Sequence, residues 1–385
     1  MRLLCFLALA AGHLAAGHLA AAPLQLGANF NEHLAAAKPE LLKSGNPGWV
    51  RGFLPASGFL SGRKKLTNDP GVKAFLAARE DGRKIAITIK WDFQKKHIRV
   101  PAPDSPREKE CFDFATRVAS ELHPDLLLLV NEVHIDTMPE DMKPGGDGTI
   151  PMVRFLQRLT THVHGLKNNL GGDGPPLRLS CGGFTRMDQR RMREHPANLA
   201  LLEWLAATKE LDAVNFHLHH NNLEEFEEAL SFVRGKVPEK PFVITEFSIV
   251  WHYKRQLARP IGAAPAGKRF AETRGIAPET TVRDFLNDCV RKPVPESVMH
   301  DFLASQPWDD PQFLRKSCEL MEKHGVILAT SAYAQGASGN ARPMKADGTP
   351  WILNPIFFNA LATSDDPSRP ATRPGFYQEF RRRNP

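Results

Sequence analysis

Cysteine is scarce in this sequence, and long apolar segments are missing after its first residues. Five cysteines occur among 385 residues, and their spacing matches no zinc-binding pattern. No later segment reaches the roughly 18 uncharged apolar residues that a membrane-spanning helix needs. A Gly-x-Ser-x-Gly motif is also missing, which argues against an esterase with its serine on a sharp turn. The sequence therefore indicates neither a zinc domain nor a membrane protein.

The charge of the chain does not indicate nucleic-acid binding. The 50 lysines and arginines exceed the 43 acidic residues, for a net charge of +7, but they are spread along the chain. The densest basic run, residues 381–383, comes at the C-terminal end, where we expect a solvated tail. A nucleic-acid site would need a basic stripe with interleaved aromatic side chains. An acidic polysaccharide is compatible with this charge but is not required by it.

The first 22 residues have the layout of a secretory signal peptide. Arg2 is followed by an apolar run, and small residues occupy positions 20–22, where cleavage would occur. This pattern predicts a secreted or periplasmic protein whose mature part is residues 23–385, which we expect to form a single domain. His13 and His18 are unusual inside an apolar region, and they leave an uncleaved amphipathic N-terminus as the alternative.

Four cysteines would remain after cleavage, namely Cys111, Cys181, Cys289 and Cys318. In an exported protein they permit three disulfide connectivities. Cys289 and Cys318 lie in the same late segment, so this pairing is the one we favour. Buried free thiols are equally compatible with the sequence.

Short apolar runs alternate with helical patterns along the mature chain, whose 42% apolar and 24% charged residues are ordinary for a globular protein. The runs occupy residues 25–29, 49–53, 84–91, 126–132, 177–182, 213–217, 241–246 and 326–331. Such runs suit strands buried on both faces of a parallel sheet. Eight of them, most followed by a helix, predict an α/β protein with a TIM (β/α)8 barrel. An open doubly wound sheet is the alternative, but no glycine-rich phosphate loop follows the first run.

The clearest helix start lies after the third run. Ser105 can cap the helix, Pro106 suits its first position, and Glu108 completes a capping-box pattern. An apolar stripe at helical spacing follows as far as residue 122. These signals predict a helix that begins at Pro106.

The longest insertion lies between the seventh and eighth runs, from about residue 253 to residue 325. A loop that follows a barrel strand emerges on the catalytic face, so this segment is expected to form a lid or a wall of the substrate cleft. A structural excursion packed on the outside is equally compatible. Because the eighth strand follows it, we assign the insertion to the same domain.

Two glutamates come directly after strong strand signals. Glu132 follows the fourth run and Glu246 ends the seventh, so both are expected at the carboxyl-terminal mouth of the barrel. A carboxylate beside an apolar strand is costly unless it has a partner or a chemical role. The fourth and seventh strands are nearly opposite in an eight-stranded barrel, so the two side chains can approach one central cleft. Cleavage of a glycosidic bond needs such a pair of carboxyl groups.

The Asn131-Glu132 pair after the fourth strand and the Thr-Glu-Phe tripeptide around Glu246 resemble the clan A glycoside hydrolases. The resemblance extends over the barrel order from about residue 26 to residue 351. It implies a retaining mechanism with Glu132 as acid/base and Glu246 as nucleophile. Arg51, in the second run, resembles the arginine that often holds the nucleophile. The patterns of the cellulase-like family five and the family thirty-nine enzymes are the nearest to these residues, which do not distinguish between the two families.

The sequence departs from the clan at the sixth strand. The clan often has a tyrosine there that contacts the nucleophile, whereas this chain has only three tyrosines, at 253, 333 and 377. The sixth run ends instead with His217 and His219, which strand alternation places on one face. We expect one of the two histidines to take the role of the tyrosine.

Three tryptophans are candidates for stacking on the apolar face of a sugar ring. Trp351 stands for the platform that the clan usually has after the eighth strand, although it lies far downstream of that strand. Trp91 ends the third run, and Trp251 follows the nucleophile. Packing in the core is the alternative role for each of them.

The expected roles require different ionisation states of the two glutamates. Glu132 must carry a proton before attack, and burial together with the like charge of Glu246 would raise its pKa. Glu246 must stay ionised, which the charge of Arg51 favours. Asn131 is expected to bind the 2-hydroxyl of the sugar.

Two other functions remain open for the same residues. A metal-dependent barrel hydrolase or isomerase would use His217, His219 and Glu132, with His134 and Asp136 as further ligands. A non-catalytic glycan-binding barrel would keep the tryptophans but would not need both carboxylates. For the glycosidase itself we expect a carbohydrate substrate and no metal or other cofactor.

Overall fold

A closed ring of eight parallel strands confirms the predicted barrel. The computed structural model describes residues 23–167, 176–334 and 342–385, so the predicted signal peptide lies outside the described residues. The barrel strands are β1 (Gln25–Asn29), β2 (Trp49–Pro55), β3 (Lys84–Lys90), β4 (Leu126–Leu128), β5 (Arg178–Phe184), β6 (Ala213–His219), β7 (Phe242–Ser248) and β8 (Val326–Ala332). Within the described ranges, no helix is both long and apolar enough to cross a membrane.

The ring closes where β1 pairs with β8. The register runs from Gln25 opposite Leu328 to Asn29 opposite Ala332. All seven residues of β6 are buried, as expected for strands covered on both faces by side chains. The carboxyl ends of all eight strands therefore gather at one mouth of the barrel, where active sites of this fold lie.

Most strand ends differ slightly from the sequence prediction, and three of these differences concern the site. β4 ends at Leu128, so Asn131 and Glu132 stand on the turn beyond it rather than on the strand. β6 and β7 are longer than predicted and end at His219 and Ser248. Their pairing shifts register between Phe216 and His217, and this irregularity turns the polar ends of both strands towards the mouth.

Helices cover the barrel between most strands. They span Pro39–Gly45, Ala56–Leu60, Pro70–Glu80, Pro106–Leu122, Val133–Asp136, Pro151–Leu166, Arg190–Arg193, Pro196–Ala207, Leu223–Lys236, Val250–Gln256, Pro265–Thr273, Val282–Arg291, Glu296–Ser305, Phe313–Lys323 and Phe376–Arg383. The predicted helix start is confirmed, because Ser105 Oγ accepts the N–H of Glu108 at 3.2 Å. The carboxylate of Glu108 accepts the N–H of Asp104 instead of that of Ser105, so the capping box is incomplete.

Helices also fill the segment between β7 and β8, and a buried arginine ties this segment to the C-terminal part. Arg373 is fully buried and bonds the hydroxyl of Tyr253 at 2.9 Å and the carboxylate of Asp309. Its guanidinium carbon lies 3.8 Å from the centre of the Phe376 ring. Because a buried charge is stable only when it is paired, these contacts hold the segment against the C-terminal part of the chain.

The cysteines and the terminal arginines differ from expectation. All four cysteines in the described part are buried free thiols, so the favoured pairing of Cys289 with Cys318 is wrong. The basic run is not a solvated tail, because it ends the helix Phe376–Arg383. Arg383 bonds Glu379 at 2.6 Å and Glu322 at 2.7 Å, and these bonds anchor that helix.

Candidate active site

A cleft of about 210 Å³ opens at the carboxyl-terminal mouth of the barrel. It is lined by Asn29, Phe30, Asn31, Glu32, His33, His219, Glu246, Phe247, Ala332, Ala334, Trp351, Asn354 and Pro355. These residues lie at the ends of β1, β6, β7 and β8 or in the segments that follow β1 and β8. No described residue from 250 to 325 is among them, so the insertion does not form the wall of this cleft.

Arg51 organises the floor of the site from the middle of β2. Its side chain is fully buried, and Nη1 donates to Oε1 of Glu246 at 2.8 Å. Nη2 donates to Oδ1 of Asn131 at 2.9 Å. Further bonds go to Asn29, Asn31 and Thr88 at 2.9 to 3.1 Å. One guanidinium therefore fixes residues from four strands and places a positive charge on the predicted nucleophile.

Two histidines face the same carboxylates from β6. Nδ1 of His217 lies 3.3 Å from Oε1 of Glu132, and Nε2 lies 3.8 Å from Oε1 of Glu246. Nε2 of His219 lies 3.4 Å from Oε2 of Glu246, and its Nδ1 hydrogen-bonds Ser248 Oγ at 2.8 Å. The two glutamates that the sequence singles out thus meet at opposite nitrogens of one imidazole ring.

The surroundings of Glu246 favour its charged form. Burial by itself raises the pKa of this carboxyl, but the charges of His217 and Arg51 and the contact with His219 hold it well below its ordinary value. A low pKa keeps the group ionised at neutral pH. Glu246 therefore has the ionisation state that a carboxylate nucleophile requires.

The contributions to the pKa of Glu132 do not balance in the way the sequence led us to expect. Burial raises its pKa, and Glu246 adds to that rise, but the contact and charge of His217 outweigh both and leave the pKa lowered. The expectation of a raised pKa is therefore wrong, because the sequence did not reveal that a histidine would face this carboxyl. A lowered pKa favours the ionised form of Glu132 in the free protein, so an acid role requires Glu132 to take up a proton as the sugar binds.

The tryptophans occupy three different environments. Trp351 is 37% exposed, lines the cleft and meets the His219 ring edge-on at a centroid distance of 5.0 Å. Trp91 is only 2% exposed and donates its indole N–H to the carbonyl of Leu129, so it belongs to the core and not to the site. Trp251 donates to the carbonyl of His219 at 3.1 Å and supports the end of β6. Of the three, only Trp351 presents its ring to the cleft.

The residues proposed as metal ligands do not converge. His134 bonds Asn198 at 2.9 Å and packs against His195, while Asp136 faces Lys90 at 3.6 Å. Donor atoms of His217, His219 and Glu246 do lie within 4.8 Å of one another. However, Arg51 already donates to Glu246, and its positive charge opposes a divalent cation at the same oxygen.

A second group of possible ligands, Asp188, His220 and Glu225, follows β5 and β6. Here Arg186 donates to both oxygens of Asp188 at 3.0 and 3.1 Å and approaches Glu225 to 3.8 Å. A guanidinium therefore already neutralises these carboxylates, and the group reads as a buried ionic network beside the site.

Some residues of the site were not identified from the sequence. Asn29 and Asn31 line the cleft and bond Arg51, and Ser248 orients His219. Strand alternation from Glu246 could have pointed to Ser248. Asn29 ends the first apolar run and Asn31 lies two residues beyond it, and no sequence signal connects them with Arg51.

No family model and no curated protein matches the sequence. Among solved structures, a psychrophilic family 10 endo-β-1,4-xylanase shares 11% identity at a TM-score of 0.44, over 80% of this chain and 85% of that one. A broad-specificity GH5-4 endoglucanase from Clostridium acetobutylicum has 11% sequence identity and a TM-score of 0.48. The match covers 94% of this chain and 97% of that one. A GH10 xylanase with a bacterial Ig-like domain, from termite gut, has 11% sequence identity and a TM-score of 0.49. The match covers 94% of this chain and 75% of that one. At these values the likenesses add no argument about chemistry, which rests on the geometry of the site.

Proposed function

We propose that this protein is a retaining glycoside hydrolase in which Glu246 is the nucleophile and Glu132 the acid/base. One observation carries the proposal: His217 faces both carboxylates, at 3.3 and 3.8 Å, beside a cleft that Glu246 lines. Retention is proposed from the resemblance of Asn131-Glu132 and Glu246 to the clan A pattern, since a retaining enzyme uses its second carboxylate as the nucleophile.

The proposed reaction proceeds in two steps. In the first, ionised Glu246 attacks the anomeric carbon while Glu132, protonated as the sugar binds, gives its proton to the leaving oxygen, so the glycosidic bond breaks and a glycosyl ester forms. In the second, Glu132 takes a proton from water, and the resulting hydroxide displaces Glu246. The anomeric configuration of the product is retained.

Two further residues are proposed to bind the sugar. Oδ1 of Asn131 accepts from Arg51, so its amide nitrogen is the part available to donate to the 2-hydroxyl. Trp351 offers a partly exposed ring at the nucleophile side, where it suits stacking on an apolar sugar face. The proposed substrate is an oligosaccharide or a polysaccharide.

The nucleophile is tested by labelling with a panel of 2-deoxy-2-fluoro glycosides, followed by peptide mapping. We expect covalent label on the peptide that contains Glu246 and none in Glu246→Gln. The matched control is Glu227→Gln, a partly exposed glutamate paired with Lys323 outside the cleft, which should label like the wild type. Label on another residue, or an inverted product anomer by NMR, would refute the assignment.

The acid/base is tested separately. Glu132→Ala should lose hydrolysis of glycosides with poor leaving groups, by about 100-fold or more. Azide should partly rescue it on 4-nitrophenyl glycosides by supplying the missing nucleophile for the second step. Full activity without azide removes Glu132 as the acid. Sugar binding without any turnover in the wild type would instead support a non-catalytic glycan-binding barrel.

We also propose that the protein is exported, on the basis of its first 22 residues. Amino-terminal sequencing of protein recovered outside the cytoplasm should begin near residue 23. Recovery of the intact N-terminus from such protein would contradict cleavage.

A further inference from the structure

A buried ion pair lies directly behind the proposed acid/base. Glu132 is the residue before the one-turn helix Val133–Asp136, and the last residue of that turn folds back towards it. Asp136 is 2% exposed, and its Oδ2 lies 3.3 Å from the backbone nitrogen of Glu132, whose N–H it accepts. The main chain at Glu132 is therefore held by a carboxylate that has no contact with the cleft.

The partner of Asp136 comes from the neighbouring strand. Lys90 ends β3, and its Nζ lies 3.6 Å from Oδ1 of Asp136 and 4.9 Å from the centre of the Phe53 ring. Burial lowers the pKa of Lys90, but the charges of Asp136, Glu132 and other nearby carboxylates leave it raised. Lys90 therefore remains a cation, and its charge acts on both Asp136 and Glu132.

We propose that the Asp136–Lys90 pair is a positioning pair. It orients Glu132 and sets the pH at which the active site loses the proton that it uses in catalysis. This inference rests on the proposed role of Glu132 as acid/base. Neither member touches the sugar in this scheme, since both act through Glu132.

The charged groups around Glu132 and Asp136 determine the direction in which this pair shifts the pH dependence of activity. Glu132 is faced by His217 and His219 from β6, by Glu246 from β7 and by Lys90 from β3. Asp136 is faced by Lys90, Glu132 and Asp92. Burial raises the pKa of Asp136 to about 6, so this group becomes negative as the pH rises through that value. Its negative charge then helps the neighbouring Glu132 to keep its proton at higher pH.

Asp136→Asn tests the inference, because asparagine keeps an oxygen for the N–H of Glu132 and removes only the charge. The basic limb of kcat/KM against pH, measured on a panel of 4-nitrophenyl glycosides, should move to lower pH by on the order of one unit. Removing the cation as well, in Asp136→Asn/Lys90→Met, should return the limb towards its wild-type position. Glu296→Gln is the matched control, since Glu296 is a buried carboxylate paired with Arg369 at 2.8 Å outside the cleft. In this variant the basic limb of kcat/KM against pH should not move.

A merely structural role would give a different result. It would lower kcat or the melting temperature of Asp136→Asn without moving the limb, and the second substitution would not reverse the change; that outcome overturns the inference. If the asparagine variant folds poorly by circular dichroism, Asp136→Ser removes the same charge and should show the same shift. Failure of the proposed function is recognised independently, by Glu132→Ala retaining full hydrolysis.

Discussion

Replacement of Arg51 by methionine separates the structural and chemical roles of the site most sharply. The change removes a fully buried cation that makes five hydrogen bonds to side chains. Methionine fills most of the volume but leaves the carboxylate of Glu246 without its 2.8 Å partner. Removing one member of a buried ion pair typically costs about 3–5 kcal/mol of folding stability.

The same change should impair the chemistry. Loss of an adjacent positive charge raises the pKa of a carboxyl by about 1–3 units, which opposes the low pKa that Glu246 has beside Arg51. Glu246 would also lose its orientation. We expect kcat/KM on 4-nitrophenyl glycosides to fall by about 100-fold, which corresponds to about 2.7 kcal/mol of transition-state stabilisation.

A double-mutant cycle distinguishes this explanation from a general loss of folding. Denaturant unfolding of Arg51→Met/Glu246→Gln should recover much of the lost stability, because the double variant leaves no unpaired buried charge. Activity should not recover. Arg373→Met is the matched control, since Arg373 is equally buried but pairs with Asp309 away from the cleft. It should lose stability while folded protein keeps its kcat.

Two outcomes would refute the reasoning about Arg51. One is an Arg51→Met variant that retains kcat/KM within about threefold of wild type. The other is a double variant as unstable as the sum of the two single changes, since additivity would mean that the two side chains do not interact.

The remaining predictions concern single residues. Trp351→Ala should raise KM about tenfold with little change in kcat, measured by steady-state kinetics, because stacking binds substrate and transition state alike; a fall in kcat alone would contradict this role. His219→Phe removes a contact that lowers the pKa of Glu246, so the acid limb of kcat/KM should move to higher pH. Although burial raises it, bonds from Arg369 and Thr372 hold the pKa of Glu296 at about 2, below about 4.3 in the unfolded chain. Its stabilisation is therefore complete above about pH 4.3 and disappears towards pH 2, so Glu296→Gln should lower Tm at pH 6 much more than at pH 2.5.

The sequence by itself determined the barrel and the position of the two glutamates. Each apolar run is short and buried on both faces, and that pattern has few solutions other than a parallel sheet. Because every such strand brings its carboxyl end to the same mouth, Glu132 and Glu246 had to emerge on one face. The alternation of His217 and His219 followed from strand geometry in the same way.

The tertiary structure alone decided how those side chains are charged and which of them face the cleft. The proximity of His217 to Glu132 joins residues 85 positions apart, and it reverses the expected shift in the pKa of Glu132. Trp91 and Trp351 look equivalent as sequence signals, yet one is in the core and the other is 37% exposed. The periodicity of apolar residues specifies which face of a strand or helix is buried. The electrostatic field at a carboxyl group, however, depends on distances of 3–4 Å between elements that are remote in the chain. Those distances are fixed only when the ring of strands has closed.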